Sequence, residues 1–397
     1  MLDVIIVGGG PTGFVNALGL AQAGVSVHLI EAEPDIVKSP RAPVYHWSVL
    51  EGLDRLGVLD DCLGIGFKKQ DYTYLVKKTG ESIAYDLTVL EGRVQHPYNM
   101  HLGQHLMAGI VRRHLERFSN ATVEFGQRFV GLDQDADGVT AHVEGEGGTR
   151  QLRAKWVIGA DGAGSAVRKS LGLDFEGFTW PERFIATNLY YDFTQYGYAR
   201  STLMIDEEYG AIIAQIDRDG LWRCTYMEDA SLPEEGVMER LPSFYSKILP
   251  HADDYKVDAV SPYRMHQRSA EKYRVGRVVL AGDAAHSTNP TGGLGLTSGL
   301  FDSYALIPAL ASVILEGADD EVLDRYSDAR KDAFVNRASP QAARNKQLIY
   351  HANGGGQALA EALEMCRRMR DDKEFCFERL MFTKTLETPP LLSSHAA

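Results

Sequence analysis

The stretch LDVIIVGGGPTG, residues 2–13, decides the fold. Its first half is a short apolar run rich in β-branched residues, which is typical of a buried strand in a parallel sheet. The glycines then end the strand in a turn, and apolar residues follow at helical spacing until Gly24. A second strand pattern over residues 25–31 completes a βαβ unit.

The turn has the spacing of a phosphate-binding glycine loop. Gly-x-Gly-x-x-Gly lies between a strand and a helix, and an acidic residue ends the next strand. Such glycines let the backbone approach a pyrophosphate at the helix N-terminus, while the carboxylate accepts hydrogen bonds from a ribose. The alternative is a tight turn that serves packing alone. We expect a bound dinucleotide, held by Gly8, Gly10, Pro11, Thr12, Gly13 and Glu31.

A second strand end, late in the chain, favours FAD over NAD as this dinucleotide. An apolar strand over residues 277–281 leads to Gly282 and Asp283, and the glycine-rich segment NPTGGLGL, residues 289–296, precedes a helix. Glycines ahead of a helix expose backbone N–H groups that can stabilise negative charge on a reduced flavin ring. The alternative is an aspartate that caps a structural loop.

The remaining patterns divide the chain into two kinds of layer. Residues 184–227 contain strand patterns with little helix between them, whereas helical patterns dominate after residue 296. We predict an α/β fold in which a Rossmann-like FAD-binding domain is interleaved with a mostly antiparallel β-sheet substrate domain, followed by C-terminal helices. The expected boundaries are 1–70, 96–180 and 268–345 for the FAD-binding domain, 71–95 and 181–267 for the substrate domain, and 346–397 for the C-terminal helical segment.

Composition excludes several classes of partner. The chain has 41 Lys plus Arg against 54 Asp plus Glu, a net charge of −13, which repels nucleic acid and anionic lipid. The longest apolar runs are too short to cross a membrane, and residues 1–20 lack a basic signal-peptide region. The four cysteines show no zinc-ligand spacing. We expect a cytoplasmic protein without a metal, either a monomer or a homodimer.

A third motif, GADGAGSAVR at residues 159–168, completes a set found in one enzyme family. With the N-terminal glycine loop and the Gly282-Asp283 segment, it makes the chain resemble the class A flavoprotein monooxygenases, typified by para-hydroxybenzoate hydroxylase and phenol hydroxylase. The resemblance covers about residues 1–345. The sequence differs from the family pattern at Ala32, where several relatives carry arginine. It also differs after residue 345, where too little chain follows for the thioredoxin-like domain of the phenol hydroxylase branch.

The resemblance implies a role for each matching residue. Glu31 would bind the adenosine ribose, and Asp283 would bind the ribityl chain. The other implied cofactor contacts are Arg41 beside the pyrophosphate, Gln104 near the flavin, Asp161 and Gly162 near both FAD and the pyridine nucleotide, and Gly293, Leu294, Gly295 and Leu296 at the start of the late helix.

The resemblance also implies the reaction. In this family NADPH or NADH reduces FAD, O2 adds to form a flavin C4a-hydroperoxide, and its distal oxygen is transferred to an electron-rich ring carbon. We therefore expect a monooxygenase that hydroxylates a small phenolic or heteroaromatic substrate. The protein must exclude water, hold the ring close to the flavin and favour the phenolate.

The substrate residues are harder to predict. The sheet over residues 184–227 is the expected roof of the pocket, with Gln215 and Tyr226 as polar candidates. Pro290 matches the family's proline below the flavin ring. His46 is the candidate for substrate contact or phenol deprotonation, because imidazole titrates near neutral pH; an ordinary hydrogen-bonded histidine is the alternative. We expect His286 to shape its loop rather than act as a base.

Two other functions fit parts of the pattern. An FAD oxidoreductase of the same fold could epoxidise, perform Baeyer–Villiger oxidation or reduce a double bond. A halogenase is disfavoured because no Trp-x-Trp-x-Ile-Pro segment is present. A non-catalytic FAD-binding protein is disfavoured because the Asp161-Gly162 motif, which contacts the nicotinamide cofactor in the family, would then have no purpose.

Overall fold

The computed structural model describes residues 1–38, 43–249, 251 and 254–392. The strands in this part of the chain are β1 (Leu2–Val7), β2 (Val27–Ile30), β3 (Val44–Tyr45), β4 (Phe67–Lys69), β5 (Asp71–Val76), β6 (Glu81–Asp86), β7 (Asn99–His101), β8 (Ala121–Glu124), β9 (Arg128–Gln134), β10 (Val139–Gly145), β11 (Gly148–Gly159), β12 (Phe175–Tyr190), β13 (Ser201–Ile205), β14 (Ala211–Gln215), β15 (Leu221–Asp229), β16 (Lys256–Ala270), β17 (Arg274–Val275), β18 (Val278–Leu280) and β19 (His286–Ser287).

Eleven α-helices and several single 3₁₀ or π turns connect the strands in the described ranges. The α-helices are α1 (Pro11–Gln22), α2 (Trp47–Arg55), α3 (Leu59–Ile65), α4 (Gln104–Leu115), α5 (Ala166–Ser170), α6 (Val237–Ile248), α7 (Leu294–Ala311), α8 (Glu321–Asp332), α9 (Ser339–His351), α10 (Gly356–Asp371) and α11 (Lys373–Leu380).

The first sheet is built around the N-terminal βαβ unit. Its order is β17-β18-β11-β1-β2-β8, and β18, β11, β1, β2 and β8 pair in parallel. The antiparallel strands β9 and β10 extend it from β11. Val4, Ile5 and Ile6 of β1 are fully buried, as expected for a strand covered on both faces by helices. Helix α1 packs between α4 and α7.

The second sheet has the order β19-β16-β12-β15-β14-β13-β5-β6 and is antiparallel except for the β13–β5 pair. Because side chains alternate along a strand, each strand sends residues to two faces. We call one the α6 face, where Ile213 and Trp222 pack on Tyr245 of α6. We call the other the α9 face, where Phe184 and Ile212 pack with residues of α9.

The predicted fold is confirmed: a Rossmann-like parallel layer is interleaved with a mostly antiparallel sheet, and helices follow. Strands β13, β14 and β15 lie where the sequence predicts them. Strand β16 and the hairpin of β5 and β6 escaped prediction. The domain boundaries stay a prediction, and the long strand β12 runs across the boundary expected at residues 180–181.

The long helix at residues 294–316 is apolar enough, by length and composition, to cross a membrane. More than half of its apolar window is buried inside the protein, where α7 packs against α1 and α8. The apolar character of this helix therefore follows from its place in the core.

Candidate functional site

The N-terminal glycine turn brings three segments into close contact. Gly8 has a φ of +111°, and a Cβ there would lie 2.4 Å from the carbonyl oxygen of Ala160 at the end of β11. A Cβ on Gly13 would lie 1.9 Å from the carbonyl oxygen of Gly8. Gly10 is the N-cap of α1 and offers no side chain, so the first backbone N–H groups of the helix stay open to a ligand.

Glu31 is held directly over this turn. Gly9 N–H donates to Glu31 Oε2 at 2.5 Å, and Glu33 N–H donates to Oε1 at 2.9 Å. These bonds fix a partly exposed carboxylate beside the N-terminus of α1, where the ribose of a dinucleotide could reach it.

The central motif is organised by Asp161 and Arg168. The Asp161 carboxylate accepts hydrogen bonds from Ser165 Oγ at 2.5 Å and from the Ala166 backbone N–H at 2.7 Å, so it caps α5. Burial raises the pKa of Asp161, although these hydrogen bonds oppose the rise. Arg168 is buried and donates to the carbonyl oxygen of Ala284 at 2.8 Å. The central motif is thus tied to the late Gly282-Asp283 segment.

A buried charge cluster fixes that late segment from behind. Asp302 of α7 accepts hydrogen bonds from Gly282 N–H at 2.8 Å, His286 Nε2 at 2.7 Å and Arg330 Nε at 2.7 Å. Burial acts to raise the pKa of Asp302, but the interactions with His286 and Arg330 outweigh it and lower that pKa. Asp283 itself lies exposed in the turn. His286 therefore orders its loop, as expected.

The segment from Pro290 to Leu296 forms the start of α7. Gly293 adopts a left-handed conformation, with φ +68°, and is the N-cap of α7 without a side-chain cap, so Leu294, Gly295 and Leu296 form an open first turn. His46, the residue before α2, contacts this loop: its Nε2 lies 2.7 Å from the carbonyl oxygen of Gly292. Burial lowers the pKa of His46, and the bond to Gly292 partly offsets that effect.

A neutral His46 with this contact has a defined tautomer. Because a carbonyl oxygen can only accept, Nε2 carries the proton and donates it to Gly292. Nδ1 is then the unprotonated nitrogen and can accept a proton. The structure thus brings His46 and the Pro290–Gly293 loop together.

Gln104 begins α4, and the strand before it contacts the second sheet. His101 Nδ1, at the end of β7, donates to the carbonyl oxygen of Gln215 at 2.9 Å. The N-terminus of α4 therefore lies near the second sheet. Arg41 lies outside the described residues.

The two predicted substrate residues of the second sheet do not lie on its α9 face. Tyr226 is buried on the α6 face, with its ring stacked on Phe244 at 3.8 Å. Gln215 pairs with Trp222, which lies on the α6 face, and so has the same orientation. Arg223 follows Trp222 in β15, and because side chains alternate along a strand, it lies on the α9 face instead. The structure thus places both residues on the α6 face, which the sequence left open, because a shift of one residue in strand register reverses every side chain. Their role in substrate binding stays a prediction.

Three buried charged residues in this part of the molecule were not predicted from the sequence. Asp302 was detectable in principle, since it is a charged residue in an otherwise apolar helix, and a buried carboxylate needs partners. Arg330 and Arg223 carry no local signal, because their positions depend on the packing of distant elements.

The described residues fit an extended dinucleotide such as FAD. Two open helix N-termini, those of α1 and α7, lie on either side of the Gly282-Asp283 turn, and a Cβ on Gly282 would lie 2.6 Å from Thr12 Oγ1. The residues that could hold the cofactor are Gly8, Gly10, Pro11, Thr12, Gly13, Glu31, Asp283, Gly293, Leu294, Gly295 and Leu296. Fold and site together define a dinucleotide-binding flavoprotein that also contains a second, mostly antiparallel sheet.

Known proteins resemble this chain over nearly its whole length. A family model described as FAD binding domain matches residues 1–339. The chain is 44% identical over 386 residues to 6-hydroxy-3-succinoylpyridine 3-monooxygenase of Pseudomonas putida, covering 97% of this chain and 98% of that protein. It is also 44% identical over 376 residues to para-nitrophenol 4-monooxygenase of a Pseudomonas species, covering 94% and 90%.

A solved structure agrees with this assignment. The crystal structure of p-nitrophenol 4-monooxygenase from Pseudomonas putida matches with a TM-score of 0.93 and 40% identity, covering 97% of this chain and 98% of that one. The chain therefore belongs to the FAD binding domain family, and within it to the class A flavoprotein monooxygenases. It is an FAD-dependent aromatic monooxygenase that uses NAD(P)H and O2, as the three motifs predicted.

Proposed function

We propose that the protein oxygenates a phenol or a hydroxylated heteroaromatic ring bound between the Pro290–Gly293 loop and the α9 face of the second sheet. The observation that carries the proposal is the hydrogen bond from His46 to Gly292, which holds a neutral imidazole at this loop with Nδ1 able to accept a proton. Removal of the phenolic proton raises the electron density of the ring at its ortho and para carbons. His46 is the proposed base, and Pro290 borders the ring.

FAD supplies the redox chemistry when bound: it takes a hydride from NAD(P)H and activates O2, so that one oxygen atom enters the ring and the other leaves as water. The residues of the chain bind the cofactor and orient it and the substrate. The N-termini of α1 and α7 stabilise the negative charge of the pyrophosphate and of the reduced flavin ring, respectively. We assign Glu31 to the ribose, Asp283 to the ribityl chain, Arg41 to the pyrophosphate and Gln104 to the neighbourhood of the flavin.

For Asp161 we propose an indirect role. Its carboxylate is engaged at the N-terminus of α5, so it orients the Gly162 turn and, through Arg168, the Gly282-Asp283 turn. The backbone of this turn, where Gly162 has φ +81°, is then the part available to FAD or NAD(P)H.

The relatives suggest the ring position. Both are named for oxygenation at the ring carbon para to a hydroxyl group, where the substrate carries its second substituent. A phenolate directs electron density to that carbon. We therefore propose oxygenation para to the hydroxyl group. Where that carbon carries a nitro group, the new C–O bond replaces the C–N bond, nitrite leaves with the bonding electron pair, and the ring is released as a quinone. We further infer a cytoplasmic enzyme, since NAD(P)H and four unpaired thiols suit a reducing compartment, and a homodimer, which light scattering would test.

The direct test compares 4-nitrophenol, 3-nitrophenol and 6-hydroxypyridine derivatives as stimulators of NADPH and NADH oxidation, with O2 uptake and product mass measured together. We expect a stoichiometric O2-dependent product from para-substituted phenols and slower turnover of the meta isomer. Oxygen-independent turnover, or none with any hydroxylated ring, would contradict the proposal.

The role of His46 is tested by its conversion to Gln. We expect kcat to fall by about 10²-fold or more, the typical contribution of a general base. The lowered pKa predicts that the acid limb of the wild-type kcat/KM profile lies below about pH 6.5, the ordinary histidine value, and that H46Q loses this limb. If H46Q kept the acid limb of the wild-type kcat/KM profile, His46 would not be the base.

A further inference from the structure

A buried arginine lies on the α9 face of the second sheet. Arg223 of β15 is only 8% exposed, and its neighbour across the strands on β12 is Asn188. Its position alternates with Trp222 and Cys224, which belong to the α6 face, so its side chain projects to the opposite side.

That side faces the flavin end of the site. Helix α9 packs on the same face through Ile349 and Tyr350, and Asn345 of α9 contacts the carbonyl oxygen of Thr291 in the Pro290–Gly293 loop. Arg223 also lies within electrostatic reach of the start of α4. Burial lowers the pKa of His105, and the positive charges of Lys38 and Arg223 lower it further. Arg223 therefore lies on the face of the sheet that α9 covers, near the start of α4.

The guanidinium is charged and oriented. Burial lowers the pKa of Arg223 to about 10, while the nearby Tyr263 acts in the opposite direction. Arg223 thus remains a cation at neutral pH. Its Nε donates to Asn188 Oδ1 at 3.0 Å, which fixes the plane of the group. A buried, oriented guanidinium favours the oxygen atoms of an anion, through charge-assisted hydrogen bonds that are often bidentate.

We propose that Arg223 binds an anionic oxygen of the aromatic substrate and that this contact selects rings that carry a negative charge. The inference rests on the proposed function, since it assigns the substrate pocket to the α9 face. The anionic oxygen can belong to the phenolate itself or to an ionised ring substituent such as a carboxylate. Both present the same chemistry to the guanidinium.

The contact has a consequence for reactivity as well as for selection. A fixed positive charge beside a phenol favours its ionised form and lowers its pKa. If Arg223 holds the phenolate, it stabilises the electron-rich form that accepts oxygen. If it holds the substituent, it sets the orientation of the ring against the Pro290–Gly293 loop.

The test measures equilibrium binding to the FAD-loaded protein without NAD(P)H, by flavin absorbance and by the visible absorbance of bound 4-nitrophenolate. The probes are 4-nitrophenol, 4-hydroxybenzoate and the neutral 4-nitroanisole. The variants are Arg223→Met, Arg223→Lys and, as a matched control, Arg264→Met on β16, where the side chain is exposed. FAD content and thermal unfolding check that each variant is folded.

We expect Arg223→Met to weaken the binding of 4-nitrophenol about 30-fold or more, the loss typical when one partner of a buried charge pair is truncated. Arg223→Lys should restore part of the affinity, and Arg264→Met should bind like the wild type. Weakening of 4-nitrophenol but not of 4-nitroanisole identifies the phenolate as the group held. Equal weakening of both would show that Arg223 does not distinguish a charged ring from a neutral one, which contradicts the inference in the same way as a lack of preference for anionic probes.

Two further outcomes overturn the inference. One is unchanged anion affinity in a folded Arg223→Met protein, and the other is a wild-type protein that binds no anionic probe more tightly than the neutral one. Turnover distinguishes this failure from failure of the proposed function. If 4-nitrophenol is oxygenated but Arg223 is dispensable for binding, only the role of Arg223 fails. If it binds through Arg223 without any oxygenation, only the proposed reaction fails.

Discussion

Asp302 illustrates how one residue far from any ligand-binding motif can set the geometry of a site. Its carboxylate accepts the backbone N–H of Gly282 and the side chains of His286 and Arg330, all within the core. The Gly282-Asp283 turn therefore depends on a buried ion cluster. Removing one partner of such a cluster leaves the remaining charge buried, which is costly.

We predict that Asp302→Asn destabilises the protein by about 3–5 kcal/mol and weakens FAD retention. The exposed Asp332→Asn variant, which removes a surface ion pair with Arg337, should change stability by less than about 1 kcal/mol. Chemical denaturation and fluorimetric FAD titration measure both effects. Wild-type FAD affinity in a folded D302N protein would show that the turn holds its shape without the carboxylate.

The pH dependence of this effect has a definite sign. The pKa of Asp302 is lower in the folded protein than the value of about 3.9 expected when unfolded. Its contribution is thus present above that pH and is lost as pH falls through the folded-state pKa. The difference in unfolding free energy between wild type and D302N should be constant near neutral pH and should shrink below about pH 4.

At the scale of elements, the glycine loop is a packing requirement as much as a ligand site. Gly13 lies where α1 crosses the end of β1, and a Cβ there would meet the carbonyl oxygen of Gly8 at 1.9 Å. Since that obstacle is backbone, α1 must move for any larger residue to fit, and its open N-terminus moves with it. The position of α1 and the geometry of the pyrophosphate site therefore both depend on this close contact between Gly13 and Gly8.

We predict that Gly13→Ala lowers FAD affinity at least tenfold, equivalent to about 1.4 kcal/mol or more. Gly109→Ala is a matched control, because it lies within α4 and its Cβ would meet nothing nearer than Ile36 Cδ1 at 4.0 Å. That change should leave FAD binding intact and stabilise the helix by up to about 1 kcal/mol. Equal FAD affinities for the two variants, measured by fluorescence, would contradict this account.

For the whole molecule, local patterns predicted the βαβ unit, the late strand and the antiparallel sheet, because strand and turn signals depend on neighbouring residues. They could not predict that Tyr226 packs on the α6 face of β15 while the buried Arg223 lies on the α9 face. Nor could they find the cluster of Asp302 and Arg330, which joins helices distant in sequence. The sheet face on which a side chain lies and the residue that it contacts are set by the tertiary structure, and a single sequence does not determine them.

The same limit applied to residues 346–397, for which the sequence predicted a helical segment but not its contacts. The structure shows packing that reaches the second sheet and two helices, α2 and α8. Arg367 of α10 forms two hydrogen bonds to Glu81 of β6, and Trp47 Nε1 donates to the carbonyl oxygen of Leu380 in α11. Leu386, fully buried, contributes its carbonyl oxygen to Arg330, the partner of Asp302.

The segment therefore connects the second sheet to the core behind the Gly282-Asp283 turn, and a local defect in it should weaken the whole molecule. We predict that Leu386→Ala lowers the free energy of unfolding by about 2–5 kcal/mol, the usual range for a buried leucine. It should also lower FAD affinity, because relaxation of the chain into the cavity would shift the backbone carbonyl oxygen that accepts from Arg330. Leu392→Ala, at a 37% exposed position, is the control and should stay within about 0.5 kcal/mol of wild type. Denaturation followed by flavin and tryptophan fluorescence should give one coincident transition in each variant. Separate transitions in L386A would mean that the segment stabilises one layer alone. The contact from Leu386 through Arg330 to Asp302 would then not affect FAD binding.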